Sequence, residues 1–213
     1  MPRDKRQVIA NVPHHVYMRG NNRRRLFSRR TDFAVFVALL ANALCREPCL
    51  LHALTLMTNH VHMLVTPLLA AALPRLVKDF AQRYAYLRNR ARAGSGKLFE
   101  QRYKCVPILT HEGMARETAY IDLNAKHGGL ADDPLDYPWS TYAIHAGEPM
   151  RSAIPLRIWT PSDWYLALDG DADSRAAQYR AFAEAYSIDY SEKRASATCS
   201  GKDERRPDGS RAL

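Results

Sequence analysis

Hydrophobic and polar positions change period several times along the chain, and each change marks an element. Residues 8–19, rich in Val, Tyr and His, have the make-up of a first strand. Gly20-Asn21-Asn22 then forms a turn, because Gly and Asn tolerate positive φ. Phe33, Phe36, Val37, Leu40 and Leu44 follow helical spacing, with Asp32 placed to cap that helix. Residues 50–57 and 61–66 are apolar and strand-length, and the short Thr58-Asn59 step between them predicts an antiparallel hairpin. Over residues 70–90, Leu73, Leu76, Val77, Phe80, Tyr84 and Leu87 make an apolar stripe, with Pro74 near the start, where proline is tolerated. Ala93-Gly94-Ser95-Gly96 breaks the chain before a strand over 103–109, and Thr110 caps a helix that ends near His127-Gly128-Gly129.

The order strand-helix-strand-strand-helix-strand-helix predicts an α+β fold: a ferredoxin-like sandwich with an antiparallel β-sheet. A domain over residues 1–145 would carry it, followed by a C-terminal extension over 146–190. Trp159, Trp164 and a short helix over 174–186 fall in that extension. Low hydrophobicity and dense charge over 191–213 predict a disordered tail.

Composition narrows the class. With 213 residues, 46% of them hydrophobic, the chain can bury a real core as one domain with an extension. It shows neither the long apolar run of a membrane span nor a signal peptide's apolar stretch. Cys45, Cys49, Cys105 and Cys199 lack the spacing of a disulfide framework and read as reduced thiols, so the expectation is a cytoplasmic protein. The net charge of +9 is unevenly spread: residues 1–30 carry nine Lys/Arg against one Asp, and 75–104 nine against two acids. Residues 105–192 carry six against fourteen. Two basic blocks and an acidic back half predict one face built for phosphates.

Two segments then fit together chemically. His60-Val61-His62 lies inside the second strand of the hairpin, so both imidazoles share a face, about 6–7 Å apart along the chain. Tyr120 and Asn124 share a helix face one turn apart. By itself a His-x-His pair on a strand is more often structural than ligating, and a helix tyrosine is more often core packing. A histidine pair holding a metal opposite a tyrosine and an amide is, however, what attack on a phosphodiester by a phenol requires. Arg19, Asn21, Asn22, Arg23, Arg24 and Arg25 combine cations with amides suited to base edges. Arg83, Lys97, Arg102 and Lys104 would track a backbone, with Tyr103 as a stacking surface. His14 and His15 would touch DNA or fill the sheet edge, and His52 has no ligand role.

The His-hydrophobic-His motif, Tyr120-Ile121-Asp122-Leu123-Asn124 and Asp136-Tyr137-Pro138-Trp139-Ser140-Thr141-Tyr142 together resemble the single-tyrosine transposases of the HUH endonuclease superfamily. Within these, the REP-associated tyrosine transposases (RAYTs) are most similar. His15-Val16-Tyr17-Met18-Arg19-Gly20-Asn21-Asn22-Arg23 and Gly96-Lys97-Leu98-Phe99-Glu100-Gln101-Arg102-Tyr103-Lys104 resemble the same group. The resemblance implies the ferredoxin-like fold, Tyr120 as nucleophile, and His60, His62 and Asn124 as ligands of Mg²⁺ or Mn²⁺. It implies a bacterial, nucleoid-associated enzyme that binds single-stranded or hairpin DNA and cleaves and rejoins it through a 5′-phosphotyrosine. It favours a monomer. The alternatives are a dimeric insertion-sequence transposase and a domesticated, non-cleaving DNA-binding protein. Ala125 stands where the group often has proline, which predicts a differently shaped helix end.

Overall fold

The computed structural model describes residues 7–199, with side chains through residue 194. Four strands, β1 (His14–Arg19), β2 (Cys49–Leu56), β3 (His60–Pro67) and β4 (Lys104–Pro107), form one sheet in the order β2-β3-β1-β4. Every neighbouring pair is antiparallel. Helix α1 (Arg30–Leu44) links β1 to β2, and α2 (Ala72–Ala91) links β3 to β4. Helices α3 (His111–Asp122) and α4 (Asn124–His127) follow, and then the short α5 (Tyr142–His145) and α6 (Asp163–Leu166) and the long α7 (Ala172–Cys199). This is the expected α+β arrangement.

Strand alternation sorts the core. Val16, Met18, Val61, Met63 and Val65 face one way and pack with Phe36, Leu40, Leu76, Phe80 and Tyr84 of α1 and α2. Ala53 and Leu64 face the other way and meet Met114 and Ile121 of α3. The helices therefore take opposite sides of the sheet, α1 and α2 on one, α3 on the other. A register shift between Leu51 and Ala53 leaves His52 as the extra residue of a bulge. Its Nδ1 lies 2.9 Å from the Thr160 carbonyl oxygen and its Nε2 2.9 Å from Thr66 Oγ1.

Several boundaries differ from expectation for identifiable reasons. β1 begins at His14 rather than residue 8, because Asn11 turns the chain at φ 60° and Pro13 has no N–H to give the ladder. Asp32 is not the cap of α1. It sits in the first turn, where its carboxylate accepts from the Ser28 and Arg29 amides. Thr110 does cap α3, its hydroxyl accepting from the Gly113 amide. The helix carrying Tyr120 is broken at Leu123, at φ −86° and ψ 0°, before α4 resumes. Gly129, at φ 68°, then turns the chain out of α4.

β2 is an edge strand, and the C-terminal part of the chain covers it. The Leu56 amide donates to Trp139 O, the Thr141 amide to Leu54 O and the Thr160 amide to Leu51 O. Tyr179 and Ala183 of α7 pack with Ala119 of α3 and Leu123 just after it. The helix expected over 174–186 extends to Cys199, so residues 191–199 are helical where a disordered tail was expected. A Lys193–Asp189 pair one turn apart and stacking of Tyr190 on His127, centroids 4.1 Å apart, support that extra length. Residues 200–213 of the expected tail lie outside the described residues.

Candidate functional site

The register of β1 against β3 builds a polar face. Arg19 pairs with His60, Tyr17 with His62 and His15 with Leu64, so alternate residues of both strands project together toward α3. On the far side of β1, Tyr17 pairs with Lys104, which brings that lysine onto the same face. β1 is thus an interior strand, so the expectation that His14 and His15 fill a sheet edge fails. His14 is fully buried, its Nδ1 2.7 Å from Val12 O and its Nε2 accepting from the Ile9 amide. His15 points into the polar face.

The rings there form one cluster. His60 and His62 lie with centroids 5.0 Å apart, and Tyr120 of α3 meets His62 edge-on at 5.4 Å. His15 is 5.1 Å from His62 and 5.8 Å from Tyr120, and Tyr17 is 4.9 Å from His62. Glu117, three residues before Tyr120 on the same helix face, places Oε2 3.0 Å from His15 Nδ1. Asn124 is the first residue of α4, one turn beyond Tyr120 and mostly buried. Of the expected chemical residues, His62 is in ring contact with both His60 and Tyr120, and Asn124 follows Tyr120 across the break at Leu123.

The residue types present suit a divalent ion. His60 Nδ1 lies 2.7 Å from Asn59 Oδ1, and His62 Nδ1 2.8 Å from His15 Nε2. With Nδ1 engaged in this way, Nε2 is the atom each ring would use to hold a metal. Two imidazoles with an amide oxygen leave coordination positions for phosphate oxygens and suit Mn²⁺, and Mg²⁺ less tightly. Asn59 also donates from Nδ2 to Arg23 O, at 3.5 Å, which joins the histidine pair to the loop after β1.

That loop gathers the two basic blocks. Gly20 N donates to Asn59 O, Asn21 N to Leu98 O, and Glu100 N to Arg19 O, so residues 20–25 and 97–102 meet at the His60 end of the sheet. Gly20 is required there: a Cβ would stand 2.1 Å from Arg24 O. Asn22 and Arg23 adopt left-handed φ of 52° and 58°. Arg23, Arg24, Lys97, Arg102 and Lys104 are all exposed, and among the described residues none of them has an ion-pair partner. Arg19 instead pairs with Glu100 at 2.6 Å, and that hydrogen bond raises its guanidinium above the ordinary value. Arg83 is placed apart, on α2 behind the sheet, paired with Asp79 at 2.8 Å. Arg88 is spent internally, its Nε donating to Leu26 O.

A four-stranded antiparallel sheet with this helix order is the expected ferredoxin-like sandwich. The family described as "Transposase IS200 like" matches residues 8–123, more than half of the chain, and the chain belongs to that family. The match includes His60, His62 and Tyr120 and stops one residue before Asn124. A solved structure of a REP-associated tyrosine transposase bound to a REP hairpin is similar at 15% identity and a TM-score of 0.55, covering 76% of this chain and 93% of that one. No curated protein matches the chain. No helix among the described residues is long and apolar enough to cross a membrane.

Proposed function

We propose that the chain is a metal-dependent, single-tyrosine DNA endonuclease and strand transferase of the REP-associated type, acting on single-stranded hairpin DNA. The observation that carries this is the convergence of the His60, His62 and Tyr120 rings on one sheet face, beside a loop that gathers unpaired cations. The hairpin bound by the similar transposase supports the choice of DNA.

Arg23, Arg24, Lys97, Arg102 and Lys104 would hold the phosphate backbone, and Asn21 and Asn22 would meet base edges. A single strand is favoured because the scissile phosphate must be splayed into the site, which a stacked duplex resists. Tyr120 Oη bonds to phosphorus and its proton is released. The P–O3′ bond breaks and the departing strand becomes a free 3′-hydroxyl, with the 5′-phosphate left on the tyrosine. His60, His62 and Asn124 would hold a divalent ion, whose charge favours attack at the phosphate. A phenol leaves more readily than an alkoxide, so a DNA 3′-hydroxyl can reverse the linkage and rejoin strands.

Incubating the protein with hairpin repeats from the flanks of its own gene, with Mn²⁺, tests this. A covalent protein–DNA adduct is expected from the natural chain and none from Tyr120→Phe, which keeps the ring. An adduct of equal yield from Tyr120→Phe sinks the nucleophile. Tight hairpin binding with no adduct favours the non-cleaving alternative.

A further inference from the structure

We propose that His15 and Glu117 are positioning residues that fix the ring of His62 for metal binding. The inference rests on the metal reading above and extends it to two residues outside the ligand set. His15 projects from β1 and is largely buried, its side chain 11% exposed. Its Nε2 is 2.8 Å from His62 Nδ1, and its Nδ1 is 3.0 Å from Glu117 Oε2. That carboxylate oxygen is buried, and the His15 ring meets it as a close polar contact rather than an aligned hydrogen bond.

The proton positions follow from what each atom can do. An ionised carboxylate only accepts, so the His15 nitrogen facing Glu117 is the one that carries hydrogen. In a neutral imidazole the other nitrogen is then the acceptor, and His15 Nε2 takes the Nδ1–H of His62. His62 is thereby held as the Nδ1–H tautomer, so that Nε2 is the atom that would hold a metal. This is the carboxylate–histidine–metal arrangement lengthened by one imidazole. His15 acts through His62 and is not a further ligand: no group of three His, Cys, Asp or Glu side chains among the described residues is arranged to hold a metal ion.

The test is Mn²⁺ titration of the full chain without DNA, followed by the electron paramagnetic resonance of free Mn²⁺. The natural protein is compared with His15→Leu, His15→Gln, Glu117→Gln and, as reference, His62→Ala. His15→Leu should weaken Mn²⁺ binding by roughly 10–100-fold. His15→Gln should recover part of that, because its carbonyl can accept from His62 Nδ1. Glu117→Gln should give a smaller loss. Nitrogen-15 NMR of the histidines should show the Nδ1–H tautomer of His62 in the natural protein and a mixture in His15→Leu, a signature that packing alone does not move. Should His15→Leu fail to fold, the same two measurements on Glu117→Gln decide, and natural affinity with an unchanged tautomer overturns the proposal. Natural Mn²⁺ affinity in His15→Leu, with binding lost in His62→Ala, overturns the positioning role and leaves the metal site standing. Equal Mn²⁺ binding by the natural protein and His62→Ala overturns the metal site itself.

Discussion

The Tyr179 hydroxyl, on the long C-terminal helix, donates to Asp122 Oδ2 at 2.5 Å, and Asp122 lies midway between Tyr120 and Asn124. Asp122 is fully buried and takes two further bonds, from Thr141 Oγ1 at 2.6 Å and His145 Nδ1 at 2.7 Å. Burial raises the Tyr179 phenol well above its ordinary value, and the Asp122 charge adds to this, so it remains a donor. The extension is therefore fastened to the end of the helix that carries Tyr120. This gives Ser140 and Thr141 a structural part. The Leu54 amide donates to Thr141 Oγ1 and Ser140 Oγ donates to Asp122 O, tying the β2 edge to the α3–α4 break.

Tyr179→Phe removes one hydrogen bond to a buried carboxyl while keeping the ring. Bonds to charged groups contribute about 1.5–3 kcal/mol, and a loss of that size should appear in urea unfolding. A midpoint indistinguishable from the natural protein's would mean that the Asp122 contact does not anchor the extension.

The succession of strands and helices is legible in the sequence because short apolar runs of strand length, as in β3, give way to apolar stripes at helical spacing, as in α2. Where the helix end of Asp122 is fastened is not legible. Its partners come from 19, 23 and 57 residues downstream, and no local pattern joins them. The histidine pair and Tyr120 stand out as spacing motifs, whereas His15 depends on a pairing of strands 47 residues apart. Once β1 is laid against β3, the parity of residues 15, 17 and 19 puts His15 on the face of His60 and His62. Glu117 was open to the same logic, three residues before Tyr120 on one helix face. The length of α7 was hidden because its last turns are polar, held by side-chain pairs and by Tyr190 on His127 rather than by an apolar stripe.

His60→Ala and His62→Ala should each abolish adduct formation while hairpin affinity stays within a few-fold, since the cations proposed to hold the backbone are other residues, in the loops and at the start of β4. Excess chelator should act likewise on the natural protein, and added Mn²⁺ should restore cleavage. Gel assays run in parallel for binding and adduct separate the two effects. Undiminished cleavage in chelator would remove the metal from the mechanism.

Fold stability should fall on acidification below about pH 6.5, where an ordinary histidine begins to charge. Burial lowers the pKa of both His14 and His52 in the folded chain. A histidine depressed on folding contributes stability that is complete above its unfolded value and is lost as pH falls toward the folded one. His14 accepts from the Ile9 amide at Nε2, a bond that protonation forfeits, whereas His52 would turn its bond to Thr66 Oγ1 from accepting to donating. Melting temperatures measured from pH 7.5 to 5 should drop, and His52→Gln should flatten part of the drop. A melting temperature independent of pH over that range would contradict the buried neutral rings.

The electrostatic surface is tested by salt. Arg23 and Arg24 stand exposed on the loop tied to Asn59 and Leu98, on the site side, whereas Arg83 lies behind the sheet and pairs with Asp79. Replacing Arg23 and Arg24 together by Ala should weaken hairpin binding and flatten the dependence of log affinity on log salt. Each lost phosphate contact lowers that slope by roughly 0.7 for a single strand and 0.9 for a duplex. Arg83→Ala removes a cation of the same kind from the opposite layer, so its slope should match the natural protein's. Filter binding across a salt series measures both. A larger slope change from Arg83→Ala than from the loop pair would put the DNA on the α1–α2 side of the sheet, away from Tyr120.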